Sequence, residues 1–301
     1  MLNYSSILIS GPTASGKSQL AMRLAKKYGG VIINADAMQI YNTLSIITAR
    51  PSSKSQDKIP HFLYGYVKPN IRYSVGDWQK DVERLLIFLE KMNILPIIVG
   101  GTGLYFSALL GEIAEIPDIS HEIRSKWIKI RDNNNIQYLY DCLKKIDPKS
   151  SIKIHSNDPS RIIRALEVYE QTGISICDWQ EKKGIQLIDK SVAKFIYLCP
   201  KKEVMQRNID RRTTQMLSSK ELYKEISDIR RLNIPPMYPS MKAIGVREVI
   251  NLIDGNINQD QLRTSINIQT KRYAKRQLTW ARKKMIEWEW IEDGKQISRL
   301  L

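Results

Sequence analysis

Residues 11–18 have the types and spacing of a loop that binds phosphate groups. They form a G-x-x-x-x-G-K-S pattern after an apolar segment at 7–10. Glycine at both ends of this pattern lets successive backbone N–H groups surround an anion. The lysine would add a positive charge beside the phosphate oxygens, and the final serine could bind Mg²⁺. The pattern predicts a bound di- or triphosphate, ATP among the candidates, and we call it the phosphate loop: Gly11, Pro12, Thr13, Ala14, Ser15, Gly16, Lys17 and Ser18.

Asp36 is the second residue whose position could support chemistry. It follows an apolar segment at 31–35. A carboxylate there could accept a proton or hold a substrate hydroxyl or amine, or it could instead cap the next turn. The apolar segment at 95–99 runs into glycine, where P-loop proteins that hydrolyse nucleotides usually have an aspartate. This argues against an ATPase or GTPase and favours bound phosphates that act as a leaving group.

The elements that must position these residues alternate between strand and helix. Apolar strands are predicted at 7–10, 31–35 and 95–99, with helices at 18–28 and 76–92. Continuous apolar strands alternating with helices are typical of a parallel α/β sheet covered on both faces. Ligands of such sheets bind beyond the carboxyl ends of the strands. The phosphate loop, Asp36 and Thr102 should therefore share one edge, although Thr102 could simply cap a helix.

The pattern changes to helices between about residues 119 and 190. Helices are predicted at 123–131, 136–145 and 159–172, the last starting after Asn157-Asp158-Pro159 and stopping at Gly173. A strand at 195–198 then returns to the sheet. We therefore predict a P-loop α/β parallel-sheet core with an inserted helical domain. The core comprises 1–118 and 191–301, whose C-terminal part is helical and basic, and the insertion comprises 119–190.

Composition favours a polyanionic partner. The 301 residues are 43% hydrophobic and carry a net charge of +16. Such an excess would attract nucleic acid, although it could also merely solvate the surface. Seven basic residues lie in one predicted helical stretch without an intervening acid: Lys271, Arg272, Lys275, Arg276, Arg282, Lys283 and Lys284. Ala274, Leu278, Ala281 and Met285 form a separate stripe that can pack on a core, so the basic surface could contact a phosphate backbone.

The sequence also indicates where the protein works. Its longest apolar runs are too short to cross a bilayer, and residues 1–6 lack the basic start of a signal peptide. The three cysteines are dispersed, which disfavours structural zinc and a disulfide framework and fits a reducing cytoplasm. We therefore expect a cytoplasmic protein that does not interact with membranes.

An ordered set of motifs makes the chain resemble the tRNA dimethylallyltransferases, also called tRNA isopentenyltransferases. The phosphate loop is similar to theirs, and Asn-Ala-Asp-Ala-Met-Gln-Ile-Tyr at 34–41 resembles their next motif. Further similar segments follow in the same order and cover about residues 7–285: 48–51, 59–61, 73–75, 98–105, 158–173, Arg212 to Met216, 243–245 and 273–280. A phosphate loop alone indicates little about function, whereas this ordered set is specific.

The resemblance implies transfer of a dimethylallyl group from dimethylallyl diphosphate to the exocyclic N6 of the adenosine 3′ of the anticodon. The acceptors would be tRNAs that read codons starting with U. Asp36 is the implied base and Thr102 would hydrogen-bond the reacting groups or the tRNA. The loop, Mg²⁺ at Ser18 and an arginine would neutralise the diphosphate. Arg212 matches the family's arginine best, with Arg207 and Arg211 as alternatives.

The resemblance also implies contacts to the tRNA anticodon stem-loop, whose adenosine must be flipped out to reach the site. One chain, acting as a monomer, would suffice to hold one stem-loop. Any single basic residue among the contacts could instead be an ordinary solvated side chain. The implied RNA-binding residues are Asp36, Ala37, Met38, Gln39, Thr102, Arg124, Ser160, Arg161, Ile162, Ile163, Arg164, Lys242, Ala243, Ile244, Gly245, Val246 and Arg247.

Three positions depart from the family pattern. Ala37 replaces a serine, Ile47 replaces a glycine, and Val246 replaces an aromatic residue. They bear on RNA affinity and cleft shape more than on the reaction. Two other interpretations remain at this stage. A P-loop small-molecule or nucleotide kinase would share the loop but has no need for the basic excess, and an RNA-binding protein with a degenerate loop would be expected to lack Lys17 or Ser18.

Overall fold

A computed structural model describes residues 4–292 and residue 296. Within them one six-stranded sheet forms. In chain order its strands are β1 Ser6–Ser10, β2 Val31–Asn34, β3 His61–Phe62, β4 Pro96–Val99, β5 Ala193–Leu198 and β6 Glu289–Ile291. Their order in space is β3-β2-β4-β1-β5-β6, and every neighbouring pair is parallel. The predicted α/β parallel sheet is confirmed.

Helices connect and extend this sheet. In chain order they are α1 Lys17–Tyr28, α2 Ser53–Gln56, α3 Val75–Lys91, α4 Gly103–Leu109, α5 His121–Asn133, α6 Ile136–Ile146, α7 Pro148–Lys153, α8 Pro159–Thr172, α9 Ile176–Glu181, α10 Lys202–Leu217, α11 Lys220–Arg231, α12 Val246–Ile253 and α13 Gln259–Lys284. Short 3-10 helices occupy Lys190–Val192 and Pro239–Lys242.

The sheet core explains why the strands read as continuous apolar runs. All residues of β1, β2 and β4 are buried. Side chains from these strands pack against the apolar stripe of α1, which includes Leu20 and Leu24. A strand covered on both faces has no polar side to alternate with. The tight central pairing brings the carboxyl ends of β1, β2 and β4 together, where the candidate site lies.

The C-terminal helices form a separate apolar core. Residues of α11, α12 and α13 pack together there, with Ile226, Val249 and Ile266 among the buried side chains. The segment that follows β2 also enters this core through Leu44 and Ile47. Residues close to the sheet edge are thereby tied to helices far away in the sequence.

The chain divides into two compact units. The first comprises the chain to Ser107 and again from Ile188, and the second is Ala108–Leu187. The sequence predicts an insertion at 119–190, whereas the structure groups residues from 108 because the Leu187 N–H donates to the Leu109 carbonyl at 2.9 Å. The second unit is helical and packs around Trp127, Leu143 and Leu166.

Local signals explain most helix boundaries. Asp158 caps α8 by accepting from the Arg161 N–H at 3.1 Å, and Gly173 ends the helix in the left-handed conformation. These are the predicted start and stop. Two short strands, β3 and β6, were not predicted, because each is formed by a few residues at a sheet edge and has no apolar run of its own. No helix in the described part of the chain combines the length and apolarity needed to span a membrane.

Candidate active site

The phosphate loop connects β1 to α1 and folds around its own lysine. Lys17 Nζ donates to the Pro12 carbonyl at 2.7 Å and approaches Ser15 Oγ at 3.5 Å. Gly16 adopts a left-handed conformation, with φ of 96°, immediately before the helix. The N-terminus of α1, with its unpaired backbone N–H groups, therefore faces the interior of the loop. This is the arrangement that an anionic ligand requires.

Burial makes the Lys17 charge costly in the absence of an anion. The pKa of Lys17 is lowered from 10.5 to about 8, mainly by desolvation. The Arg212 guanidinium contributes to this lowering, and the Asp36 carboxylate opposes it. Two cations thus lie near one carboxylate, and a bound phosphate would supply the missing negative charge.

Asp36 is held at the carboxyl end of β2 by its own neighbours. Its backbone N–H donates to Asn34 Oδ1 at 2.9 Å, and Asn34 Nδ2 donates to the Asp36 carbonyl at 3.0 Å. The Met38 N–H donates to Asp36 Oδ1 at 2.9 Å. Among the residues that the structure describes, none donates a hydrogen bond to Oδ2. Asp36 therefore does cap the following turn, but with one oxygen, and the other is available to a substrate.

Thr102 lies on the turn that follows β4. Its hydroxyl accepts from the Ala37 N–H at 2.9 Å, and its own N–H donates to the Ala35 carbonyl at 3.2 Å. The close approach of these segments requires glycine at position 100, where a Cβ atom would collide with the Ala35 carbonyl. The Thr102 hydroxyl thus holds Ala37, the residue next to Asp36, in addition to lying just before α4.

Arg212 reaches the phosphate loop from α10. Its Nη1 donates to Thr13 Oγ1 at 2.9 Å. Burial lowers the pKa of Arg212, and the nearby Asp36 carboxylate raises it. Arg211 lines the same cleft, whereas Arg207 is exposed elsewhere on the helix. Of the three predicted candidates, Arg212 is the one in contact with the loop.

These groups surround a single cleft of about 570 Å³, which we call the loop cleft. Fifteen of the predicted site residues line it: Thr13, Ala14, Ser15, Gly16, Lys17, Ser18, Asp36, Ala37, Met38, Gln39, Thr102, Arg212, Lys242, Ala243 and Ile244. Gly11 and Pro12, the first two residues of the phosphate loop, are buried and do not line the cleft. Gly245 and Val246 are buried at the start of α12 and Arg247 is exposed, so these three do not form its wall.

The predicted RNA contacts of the second unit lie on α5 and α8. Ser160 and Arg161 are exposed, Ile163 and Arg164 are half-buried, and Ile162 is fully buried in the helical core. Arg124 and Arg164 approach opposite oxygens of the buried Glu167 carboxylate at 4.0 and 3.9 Å. The side chain of Ile162 faces inward, so it serves packing.

The departures from the family pattern fall on two sides of the loop cleft. Ala37 has its backbone N–H bound to Thr102, which any residue could provide. Ile47 and Val246 lie in the same apolar core of the C-terminal helices. The Ile47 side chain extends over Gly245, where an added Cβ would meet Ile47 Cδ1 at 2.6 Å. These two substitutions therefore change how the wall of the cleft is packed.

The loop cleft offers a donor for a magnesium ion that binds together with a phosphate ligand. The Ser18 hydroxyl lies at its wall. Within residues 4–292 and 296, no three His, Cys, Asp or Glu side chains are grouped closely enough to hold a metal. Mg²⁺ commonly takes one or two protein oxygens and completes its shell with water and phosphate. The residues present suit that mode.

Sequence reasoning missed several residues of the loop cleft. Asn208 Nδ2 donates to the Ala14 carbonyl at 3.1 Å, which holds the loop from α10. Tyr64 and Tyr273 are half-buried at the wall of the same cleft as Asp36. Desolvation, and after it the charge of Asp36, raises the pKa of both hydroxyls above the usual range. Tyr273 lies in the 273–280 motif, which was a usable signal. Asn208 belongs to no recognised pattern.

Comparison with known proteins agrees with these features. Residues 39–284 match the family model described as IPP transferase, and residues 5–62 match that described as isopentenyl transferase. The tRNA dimethylallyltransferase of Bartonella henselae is 42% identical over 284 residues, covering 94% of this chain and 97% of that protein. The corresponding protein of Bartonella quintana is 44% identical over 283 residues, covering 94% and 95%.

Solved structures are similar over most of the chain. A tRNA isopentenylpyrophosphate transferase from Bacillus halodurans has a TM-score of 0.70 and 32% identity, covering 99% of this chain and 94% of that one. A eukaryotic dimethylallyltransferase, in a crystallographic study of its action on tRNA, has a TM-score of 0.77 and 26% identity. That match covers 92% of this chain and 69% of the other.

Proposed function

This chain belongs to the IPP transferase family, and on that basis we propose that it transfers a dimethylallyl group to tRNA. The donor is dimethylallyl diphosphate, and the acceptor is the exocyclic N6 of the adenosine 3′ of the anticodon in tRNAs that read codons starting with U. Transfer yields N6-isopentenyladenosine and diphosphate. A single chain is expected to suffice.

The observation that carries this proposal is the juxtaposition of a carboxylate with two half-buried cations in the loop cleft. Asp36 contributes to the electrostatic environment of both Lys17 and Arg212. A group transfer from a diphosphate needs a base on the acceptor side and positive charge on the leaving-group side. The carboxylate of Asp36 and the positive charges of Lys17 and Arg212 line the same cleft.

The residues then have separate tasks. The Asp36 carboxylate accepts a proton from N6 as the nitrogen attacks the first carbon of the dimethylallyl group. The bond between that carbon and the diphosphate oxygen breaks, and the diphosphate leaves with the electron pair. The loop N–H groups, Lys17 and Arg212 bind its negative charge, which is greatest as the bond breaks. Thr102 keeps the segment around Asp36 in place through its bond to the Ala37 N–H.

Magnesium has a supporting place in this proposal. The Ser18 hydroxyl would hold Mg²⁺ together with diphosphate oxygens, and the ion would add positive charge to the leaving group.

The remaining predicted RNA contacts are proposed to bind the anticodon stem-loop. Arg124, Ser160, Arg161 and Arg164 supply polar and positive groups on the second unit. Ala37 to Gln39 and Lys242 to Ile244 lie at the loop cleft, where a flipped adenine would enter. The exposed Arg247 at the start of α12 adds a further positive group.

A kinase is the alternative that shares the loop, and the comparisons do not favour it. The test is incubation with labelled dimethylallyl diphosphate and total tRNA, followed by analysis of the nucleosides. Labelled isopentenyladenosine is the expected product, and a tRNA with another base 3′ of the anticodon is the control that stays unlabelled. Phosphate transfer from ATP with no labelled nucleoside would contradict the proposal.

A further inference from the structure

Gln277 of α13 joins the phosphate loop to the turn that carries Thr102. Its Oε1 accepts from the Thr13 N–H at 2.8 Å, and its Nε2 donates to the Gly101 carbonyl at 2.8 Å. One side-chain amide thus connects the segment after β1 with the segment after β4. The two strands that precede these segments pair with each other in the sheet. Beyond the ends of the strands, the Gln277 side chain connects the two segments.

The chemistry of this contact suits a side-chain amide. Thr13 presents a donor and Gly101 an acceptor, so the bridging group must accept at one atom and donate at another. A carboxylate lacks the proton for the Gly101 carbonyl, and an apolar residue satisfies neither group. The absence of a side chain at 101 is also required, because a Cβ there would collide with Gln277 Nε2.

Tyr273 extends the connection toward Asp36. It lies four residues before Gln277 on the same face of α13. Burial and then the Asp36 charge raise the pKa of its hydroxyl, whereas the nearby Arg276 lowers it. On the acceptor side, the Thr102 turn that Gln277 contacts holds the Ala37 N–H next to Asp36. On the diphosphate side, the Thr13 that Gln277 contacts also binds Arg212.

We propose that Gln277 is a positioning residue, which sets the phosphate loop at a fixed distance from the Thr102 turn so that diphosphate and acceptor are aligned. This inference rests on the proposed function, because it assumes that the loop holds a diphosphate. Oε1 and Nε2 of the amide are bonded to the Thr13 backbone and the Gly101 carbonyl, so its effect on the ligand is exerted through the phosphate loop and the Thr102 turn.

The first test is titration of the full chain with inorganic pyrophosphate and Mg²⁺ by calorimetry. Gln277→Leu should weaken pyrophosphate binding by about five- to thirty-fold, the loss expected for one or two hydrogen bonds. The KM for dimethylallyl diphosphate should rise similarly, while the affinity for tRNA without diphosphate stays unchanged. Gln269→Leu is the matched control, since Gln269 on the same helix bonds to Glu248 and Ser265 instead.

A second variant separates positioning from a general loss of structure. Gln277→Glu should bind pyrophosphate poorly at pH 8, because its carboxylate faces the Gly101 carbonyl. Lowering the pH toward the usual carboxyl pKa of about 4.3 protonates a growing fraction of that side chain and restores a donor, so the affinity relative to wild type should rise toward about pH 4.5. A flat ratio across this range would overturn the proposal, as would unchanged pyrophosphate affinity in folded Gln277→Leu. Wild-type protein that binds no pyrophosphate would overturn the proposed function as well.

Discussion

Lys17 gives a prediction that can be worked through from its environment. The lysine is buried with Arg212 nearby, and its pKa falls from 10.5 to about 8. Keeping the proton at pH 7 therefore costs the folded state about 3 kcal/mol relative to the unfolded chain. Replacing the lysine removes this cost but also removes the hydrogen bond to the Pro12 carbonyl, whose loss destabilises the folded state by about 1 kcal/mol. Lys17→Met should thus stabilise the empty protein by about 2 kcal/mol at pH 7 while it abolishes transfer.

The pH dependence provides the sign of the effect. The unfolded chain keeps the lysine proton until about pH 10.5, whereas the folded chain loses it near pH 8. Between these values the unfolded state binds more protons, so the wild type gains stability as the pH rises. The difference between wild type and Lys17→Met should be largest below pH 8 and should shrink across that window.

The assay is thermal unfolding with and without pyrophosphate. At pH 7 we expect the melting temperature of Lys17→Met to exceed that of the wild type by about 3 °C, as a stabilisation of about 2 kcal/mol implies for a chain of 301 residues. Pyrophosphate should raise the wild-type value and leave the variant almost unaffected. Lys26→Met, which changes an exposed lysine on the same helix, is the control. A variant no more stable than wild type at pH 7, or a difference that is constant to pH 10, would refute the reasoning.

Three further predictions address the base, the RNA contact and the wall of the cleft. Asp36→Asn should lower transfer by at least about a hundred-fold because the base is lost, with tRNA binding in a filter assay almost unchanged; near-normal turnover would contradict its role. The logarithm of tRNA affinity should fall linearly with the logarithm of salt concentration, as the net charge of +16 implies; a flat response would argue against backbone contacts. Glu225→Gln should destabilise the protein to urea by about 1–3 kcal/mol, because its carboxylate accepts from the backbone of Ser45, Ile46 and Ile47; an unchanged midpoint would show that these bonds are dispensable.

The sequence was sufficient to predict the sheet edge because its signals are local. A phosphate loop needs a particular run of eight residues, and an apolar strand ends where its polar residue begins. Lys17, Asp36 and Thr102 each follow such a strand, so the parallel topology brought them together. The core strands and α8 were predicted for the same reason, whereas two-residue β3 depends on a neighbour that no local pattern reveals.

The far wall of the loop cleft could not be predicted in this way. Asn208 and Gln277 lie on α10 and α13, and their partners are backbone atoms of the phosphate loop and the Thr102 turn. A side chain that bonds to a distant backbone leaves no pairing pattern in a single sequence, since the partner can be any residue type. The resemblance located the 273–280 segment, but the run of basic residues around it suggested an RNA-facing helix, not a support for the phosphate loop.

Net charge likewise indicated a partner without locating the charges that are free to meet it. Arg124 and Arg164 were expected to bind RNA, yet both approach Glu167, which is only 7% exposed. Burial lowers the pKa of Arg164, the Glu167 charge raises it, and the neighbouring Arg124 lowers it. A carboxylate between two guanidinium groups fixes their positions and reduces their mutual repulsion. Glu167 lowers the net positive charge of the chain, yet it holds Arg124 and Arg164 in fixed positions beside each other. The net charge alone does not contain this information.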